Sequence, residues 1–189
     1  MVSSRPSSPI ADVSRFDFVC GQNKTKGEQK MKSTKFVTQA ALIAALYVVL
    51  TEICTFLGLS SGVIQLRFSE ALTVLPIFTP AAIPGLFAGC IIANILAGGI
   101  LWDVIFGSLA TLIGAVGTYY LGRVCRYLAP IPPIAANTLI IPFVLKLVYG
   151  AEGALPFFFV TVLAGEFISC GILGILLMLA LEKRRSIFK

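Results

Sequence analysis

Apolar residues run along this chain in long blocks, broken by proline, glycine and a few isolated charges rather than by strict alternation. Charge-free stretches follow one another at 71–102, 104–122, 127–145 and 167–181. A spanning helix needs ~20 predominantly apolar residues, so the blocks predict a membrane core. The first helix is expected over 36–57, closed by a turn-rich loop containing Gly58, Ser60, Ser61 and Gly62. The stretch 69–98 is too long for one span and carries Pro76, Pro80 and Pro84. Proline breaks the backbone hydrogen-bond ladder, which splits this stretch into a short second helix, 69–78, and a third, 81–97. Gly98-Gly99 ends the third, and a fourth covers 102–122. The segment Ala129-Pro130-Ile131-Pro132-Pro133 is a stiff connection suited to opening a fifth helix, which runs to about Tyr149. A short loop at 150–153 leads to a sixth at 155–181. The predicted fold class is therefore all-α: an integral membrane protein, a bundle of six transmembrane helices.

Composition agrees. Of 189 residues 57% are hydrophobic and 13% charged, with a mean hydropathy of +0.93; a soluble domain of this length needs far more polar surface. Charge is also segregated: seven of fifteen Lys and Arg precede Phe36 and four follow Leu181. A net charge of +6 distributed in this way follows the positive-inside pattern and argues against nucleic-acid binding. Six spans put both termini on one side. With that side cytoplasmic, the inner segments hold Lys32, Lys35, Arg123, Arg126, Lys183, Arg184, Arg185 and Lys189, and the outer loops only Arg67. Residues 1–34 are polar and aperiodic and are expected to be a disordered cytoplasmic extension, with Met31 an alternative natural start. Residues 35–182 form the membrane domain and 183–189 a basic cytoplasmic tail.

The chain lacks much that enzymes use. It has no histidine, and its five cysteines are widely spaced with no CxxC pair. No phosphate-binding loop, nucleophile elbow or metalloprotease motif occurs. The expectation is a non-enzyme without metal or cofactor, whose energy comes from a partner or an ion gradient.

Ionisable groups inside a membrane are costly and are functional candidates by default. Here they are Glu52, Arg67, Glu70, Asp103, Lys146 and Glu166, joined by the amides Gln65, Asn94 and Asn137. With the first helix directed outward, nearly all fall in the outer half although they come from different helices, which is the layout of an outward-facing polar cavity. Four carboxylates against two cations favour a ligand rich in hydrogen-bond donors or positively charged. Simpler readings exist for Arg67–Glu70 as a local pair, for Lys146 as an interfacial side chain, and for Asp103 beside the belt residue Trp102. Glu166, about a dozen residues into the last helix, is too deep for that. On the first helix Ala40, Ala41, Ala44 and Ala45 make two overlapping AxxxA patterns, fitted to close packing within the bundle or to docking on another membrane protein.

Three segments carry a resemblance: QLRFSEALTVLPIFTPAAIPGLFAGCIIANILAGG (65–99), DVIFGSLATLIGA (103–115) and QAALIAALYVVLT (39–51). Over about 36–184 the chain resembles the substrate-binding (S) subunits of energy-coupling-factor (ECF) transporters, and within them the QueT family. The resemblance implies a six-helix bundle that binds a vitamin-like solute without hydrolysing anything. It implies partnership with one membrane T subunit and two ATPase subunits, with Ala40, Ala41, Ala44 and Ala45 facing the T subunit. It further implies a queuosine precursor as solute, such as queuine or 7-aminomethyl-7-deazaguanine. A 7-deazaguanine ring offers N1–H and a 2-amino group side by side, which a carboxylate accepts together, while its O6 takes a donor. Glu166 or Glu70 for the donor edge, Arg67, Gln65 or Asn94 for O6, Asp103 for an aminomethyl cation, and Trp102, Phe68 or Phe106 for stacking are the candidate contacts. The alternatives are an S subunit for another vitamin or nucleobase, and an autonomous ion-coupled carrier using Glu52 and Glu166.

Overall fold

A computed structural model describes the backbone of residues 10–59, 66–148, 150 and 154–183, with side chains from Ser33 onward. The chain divides into two units, Met1–Thr38 and Gln39–Lys189. Among the described residues every regular element is helical: α1 (Ile10–Phe56), a 3₁₀ segment (Phe68–Ile77), α2 (Ala82–Leu96), α3 (Leu101–Val124), a single 3₁₀ turn (Arg126–Leu128), α4 (Ile131–Leu147), α5 (Leu155–Glu166), a π-helical turn (Phe167–Leu173) and α6 (Gly174–Glu182). The expected extension over 1–34, the start at Met31 and most of the tail 183–189 fall largely outside the described side chains.

Among the described residues four helical stretches are long and apolar enough to cross a membrane: Ser33–Phe56, Leu101–Val124, Arg126–Leu147 and Leu155–Glu182. The two shorter apolar pieces, Phe68–Ile77 and Ala82–Leu96, fall where the prolines split the stretch after residue 69. Gly98 ends α2 in the left-handed region (φ +74°), a backbone that costs glycine nothing, and α3 then starts at Leu101. Pro132 and Pro133 occupy the first turn of α4, where the missing N–H is no loss.

The second piece departs from the expected α-helix. Its ten residues wind as a 3₁₀ helix, which rises ~2.0 Å per residue and so reaches about 20 Å. Pro76 lies within it, and everything from Ser69 to Pro76 is buried. Having no solvent or lipid face, this segment is the central post of the bundle, packed against α2, α3, α6 and the π turn. The last span departs too, since the continuous helix expected over 155–181 is interrupted by the π turn just after Glu166.

Side-chain size sorts the interior from the exterior. Buried positions are rich in small residues, among them Ala71, Ala82, Ala93, Ala110, Ala115 and Ala129, while large apolar residues such as Phe56, Leu101, Val124 and Leu147 point outward. That is the pattern of helices packing closely in lipid, where an apolar exterior costs nothing. The crossing of α1 and α2 shows the reason. A Cβ on Gly85 would stand 2.6 Å from the Ala40 carbonyl oxygen, and one on Gly89 would stand 2.9 Å from Tyr47 Cβ. The Gly85–Gly89 spacing, four residues on one helical face, brings the two backbones into contact and seats Ile43, Tyr47, Leu86 and Cys90 in the core.

Candidate functional site

The 3₁₀ post carries Glu70 into the bundle with 2% of its surface exposed. An isolated buried carboxylate is costly, and this one is held from several elements. The Tyr47 hydroxyl on α1 donates to Oε1, making a short hydrogen bond. Asn137 Nδ2 on α4 approaches Oε2 at 3.5 Å. The Glu70 carbonyl accepts from Thr73 Oγ1 at 2.6 Å and from Cys170 Sγ at 3.4 Å. Cys170, on the π turn, also donates to Glu166 Oε2 at 3.2 Å. Ser169 Oγ, from the same turn, accepts from the Arg67 backbone N–H at 3.3 Å. The π turn thus brings Glu166, Ser169 and Cys170 together onto the 3₁₀ post; such bulges recur at functional sites.

Between these elements lies a small cavity. Its polar wall is Arg67, Glu70, Asn137, Glu166 and Thr111, and Gly107, Ile141 and Val162 complete it. Its free volume is about 20 Å³, room for roughly one water molecule, so a base-sized ligand enters only if the walls part. Carboxylate oxygens of Glu70 and Glu166 and the Cys170 sulfur all lie within 4.8 Å of one another. Two carboxylates and one guanidinium therefore face a common space. Carboxylates accept pairs of N–H donors, and the guanidinium donates in a fixed fork. The arrangement fits a flat, polar ligand with donors along one edge and an acceptor on another.

Of the residues singled out in the sequence, Arg67, Glu70 and Glu166 line this cavity. Glu166 is the twelfth residue of α5, about 16 Å along the helix. Asn94 is buried one layer back: its amide donates to Cys90 Sγ at 3.4 Å and lies 3.1 Å from where a Cβ on Gly107 would be. Thr111 also reaches Cys90 Sγ, at 3.4 Å, so the wall and this second layer are joined. Asp103 does not line the cavity. Trp102 turns outward, 54% exposed, and stacks on Phe106 with ring centroids 6.0 Å apart. Lys146 is exposed near the end of α4. Glu52 is half-buried, with Oε1 enclosed and, among the described residues, without a hydrogen-bond partner. Gln65 lies outside the described residues.

The four alanines of α1 separate into two pairs. Ala40 and Ala44 are half-buried with their backbones against Gly85 and Gly89, whereas Ala41 and Ala45 are exposed. Tyr47 and Cys170 each sit in an apolar run, where the sequence alone reads them as core packing. Asn137 was picked out as a buried amide, but without a partner.

The model of the QueT transporter family matches residues 37–183. The chain belongs to the QueT transporter family. It is thus a multi-pass membrane protein of a transporter family. Over 85 residues it is 39% identical to the queuosine precursor transporter QueT of Lactococcus lactis subsp. cremoris (strain MG1363), a match covering 44% of this chain and 49% of that protein. The matched part thus spans about half the length of that relative. No solved structure matches the chain significantly.

Proposed function

We propose that this protein is the substrate-capturing membrane subunit of an ECF-type importer for a queuosine precursor, a 7-deazaguanine such as queuine or 7-aminomethyl-7-deazaguanine. The observation that carries the reading is the convergence of Arg67, Glu70, Asn137 and Glu166 on one buried space. A carboxylate pair matches the N1–H and 2-amino edge of the base, and Arg67 or Asn137 matches O6. The printed name of the relative, a queuosine precursor transporter, supports the same solute class. Titration calorimetry with a panel of 7-deazaguanines, guanine and B vitamins tests it. Binding of the deazaguanines alone is the expected result, and preferential binding of a vitamin would replace the solute.

Coupling to a T subunit and two ATPases is the finer part of the proposal. It is supported by the lack of any nucleotide-binding motif in the chain and by the exposed pair Ala41 and Ala45 on α1. Replacing both with Leu is expected to leave deazaguanine binding intact and to abolish uptake in cells that carry the partner subunits. Uptake that persists without those subunits but collapses with an uncoupler would favour the ion-coupled carrier instead.

The proposed orientation places both termini in the cytoplasm, with the basic end of the bundle inside. At that end Arg126 Nη1 pairs with Glu182 Oε1 at 2.6 Å, joining the α3–α4 turn to the end of α6, and Arg123 stands 4.0 Å from the Tyr119 ring centroid. In this reading Trp102 stays outside the pocket, and Trp102→Ala is expected to change ligand affinity by no more than about twofold, the usual size of a surface effect.

A further inference from the structure

Tyr47 lies in the apolar face of α1, with 1% of its surface exposed, and its ring belongs to the core cluster of α1, α2 and the 3₁₀ post. A phenylalanine would fill the same space. The hydroxyl is the part that core packing does not explain, and its hydrogen bond goes to Glu70 Oε1, an oxygen of a cavity-lining carboxylate. Four residues on, Thr51 Oγ1 donates to Ser69 Oγ at 2.8 Å, a second side-chain bond from α1 to the 3₁₀ post. The approach of Tyr47 depends on Gly89, where any Cβ would meet Tyr47 Cβ at 2.9 Å.

We infer that Tyr47 is a positioning residue for ligand recognition: through its hydroxyl it fixes the plane of the Glu70 carboxylate, so that one edge of the ligand meets a preset acceptor. This rests on the proposed capture of a donor-edged base. Tyr47 holds Oε1 and Asn137 approaches Oε2, so the carboxylate is engaged at both oxygens, and the lone pairs they leave are those open to a ligand in the cavity it lines. A preset acceptor distinguishes a ligand carrying two adjacent donors from one carrying a single donor, whereas a freely rotating acceptor adapts to either.

The test measures the dissociation constants of a 7-deazaguanine and of its analogue lacking the 2-amino group on wild type, Tyr47→Phe, Glu70→Gln and the double variant. Tyr47→Phe is expected to lower the preference for the amino-bearing ligand about tenfold, the scale of a hydrogen bond to a charged group. In the Glu70→Gln background the same change should alter that preference by less than twofold. Because the readout is a ratio within one preparation, the fraction of folded protein cancels. An unchanged ratio in Tyr47→Phe overturns the inference, as does a full effect persisting without Glu70. Failure of Tyr47→Phe to yield folded protein would make the hydroxyl structural and overturn it too. If wild type binds neither ligand, the proposed solute falls and this inference with it; if wild type binds and only the variants disagree, the inference falls alone.

Discussion

Replacing Glu166 with Gln will weaken binding of the captured solute by about 10- to 100-fold, the range of a hydrogen bond to a charged group in a water-poor site. The substitution keeps the shape of the side chain and removes its charge. Glu166 lines the cavity beside Glu70 and accepts from Cys170 Sγ at 3.2 Å. A neutral amide there offers one acceptor oxygen in place of two, and its own N–H₂ now faces the ligand's donors. Calorimetry on the purified variant measures the change. Affinity within twofold of wild type would place Glu166 outside the contact surface and leave Glu70 to receive the donor edge.

The second large effect is on stability. Gly85→Val is expected to cost about 3 kcal/mol or more, since overpacking a tight contact costs ~1–3 kcal/mol and here the obstacle is backbone. Even a single Cβ at Gly85 would stand 2.6 Å from the Ala40 carbonyl oxygen, and neither α1 nor α2 has a flexible side chain there to yield. For a chain of this size, melting should fall by roughly 6–12 °C. Gly58→Ala is the contrasting control for crowding, since among the described residues nothing lies within 4 Å of a Cβ there, though its φ of +71° brings a local strain of its own. A Gly85 variant that melts with wild type would mean that α1 and α2 do not cross at this point.

Much of this architecture could be read from the chain because membrane helices follow one-dimensional rules. Block length, the prolines after residue 69 and Gly98-Gly99 located the breaks at 77–82 and 96–101 to within a few residues. The site was legible in part, since charge in an apolar block has no cheap explanation, and that criterion led to Arg67, Glu70 and Glu166. Rotation about each helix axis was not legible. Depth grouped Trp102 and Asn94 with the cavity, yet Trp102 faces outward and Asn94 lies behind Gly107. All-apolar surroundings carry no periodic signal that tells a lipid face from a buried one, so a linear position fixes depth but not direction. The same limit concealed Tyr47, whose hydroxyl matters only because Gly89 lets α1 come close. The π turn at Phe167–Leu173 has no proline to announce it, and it is this turn that aligns Ser169 and Cys170 with the 3₁₀ post.

The cavity as it stands holds about 20 Å³ of free space, so the proposed capture of a base-sized solute entails opening of its walls. Of the four carboxylates expected from the sequence, two, Glu70 and Glu166, face Arg67 across it. Two carboxylates to one guanidinium there is the same ratio as in the linear count, with fewer groups.

The most direct measurement of the central claim is mass spectrometry of small molecules that co-purify with the protein from cells fed a mixture of 7-deazaguanines, purines and B vitamins. A 7-deazaguanine retained near one per protein by wild type, and lost from Arg67→Ala and Glu166→Gln, is the result this account requires. Retention of a different solute class by wild type, or of the same deazaguanine undiminished by both substitutions, would contradict it.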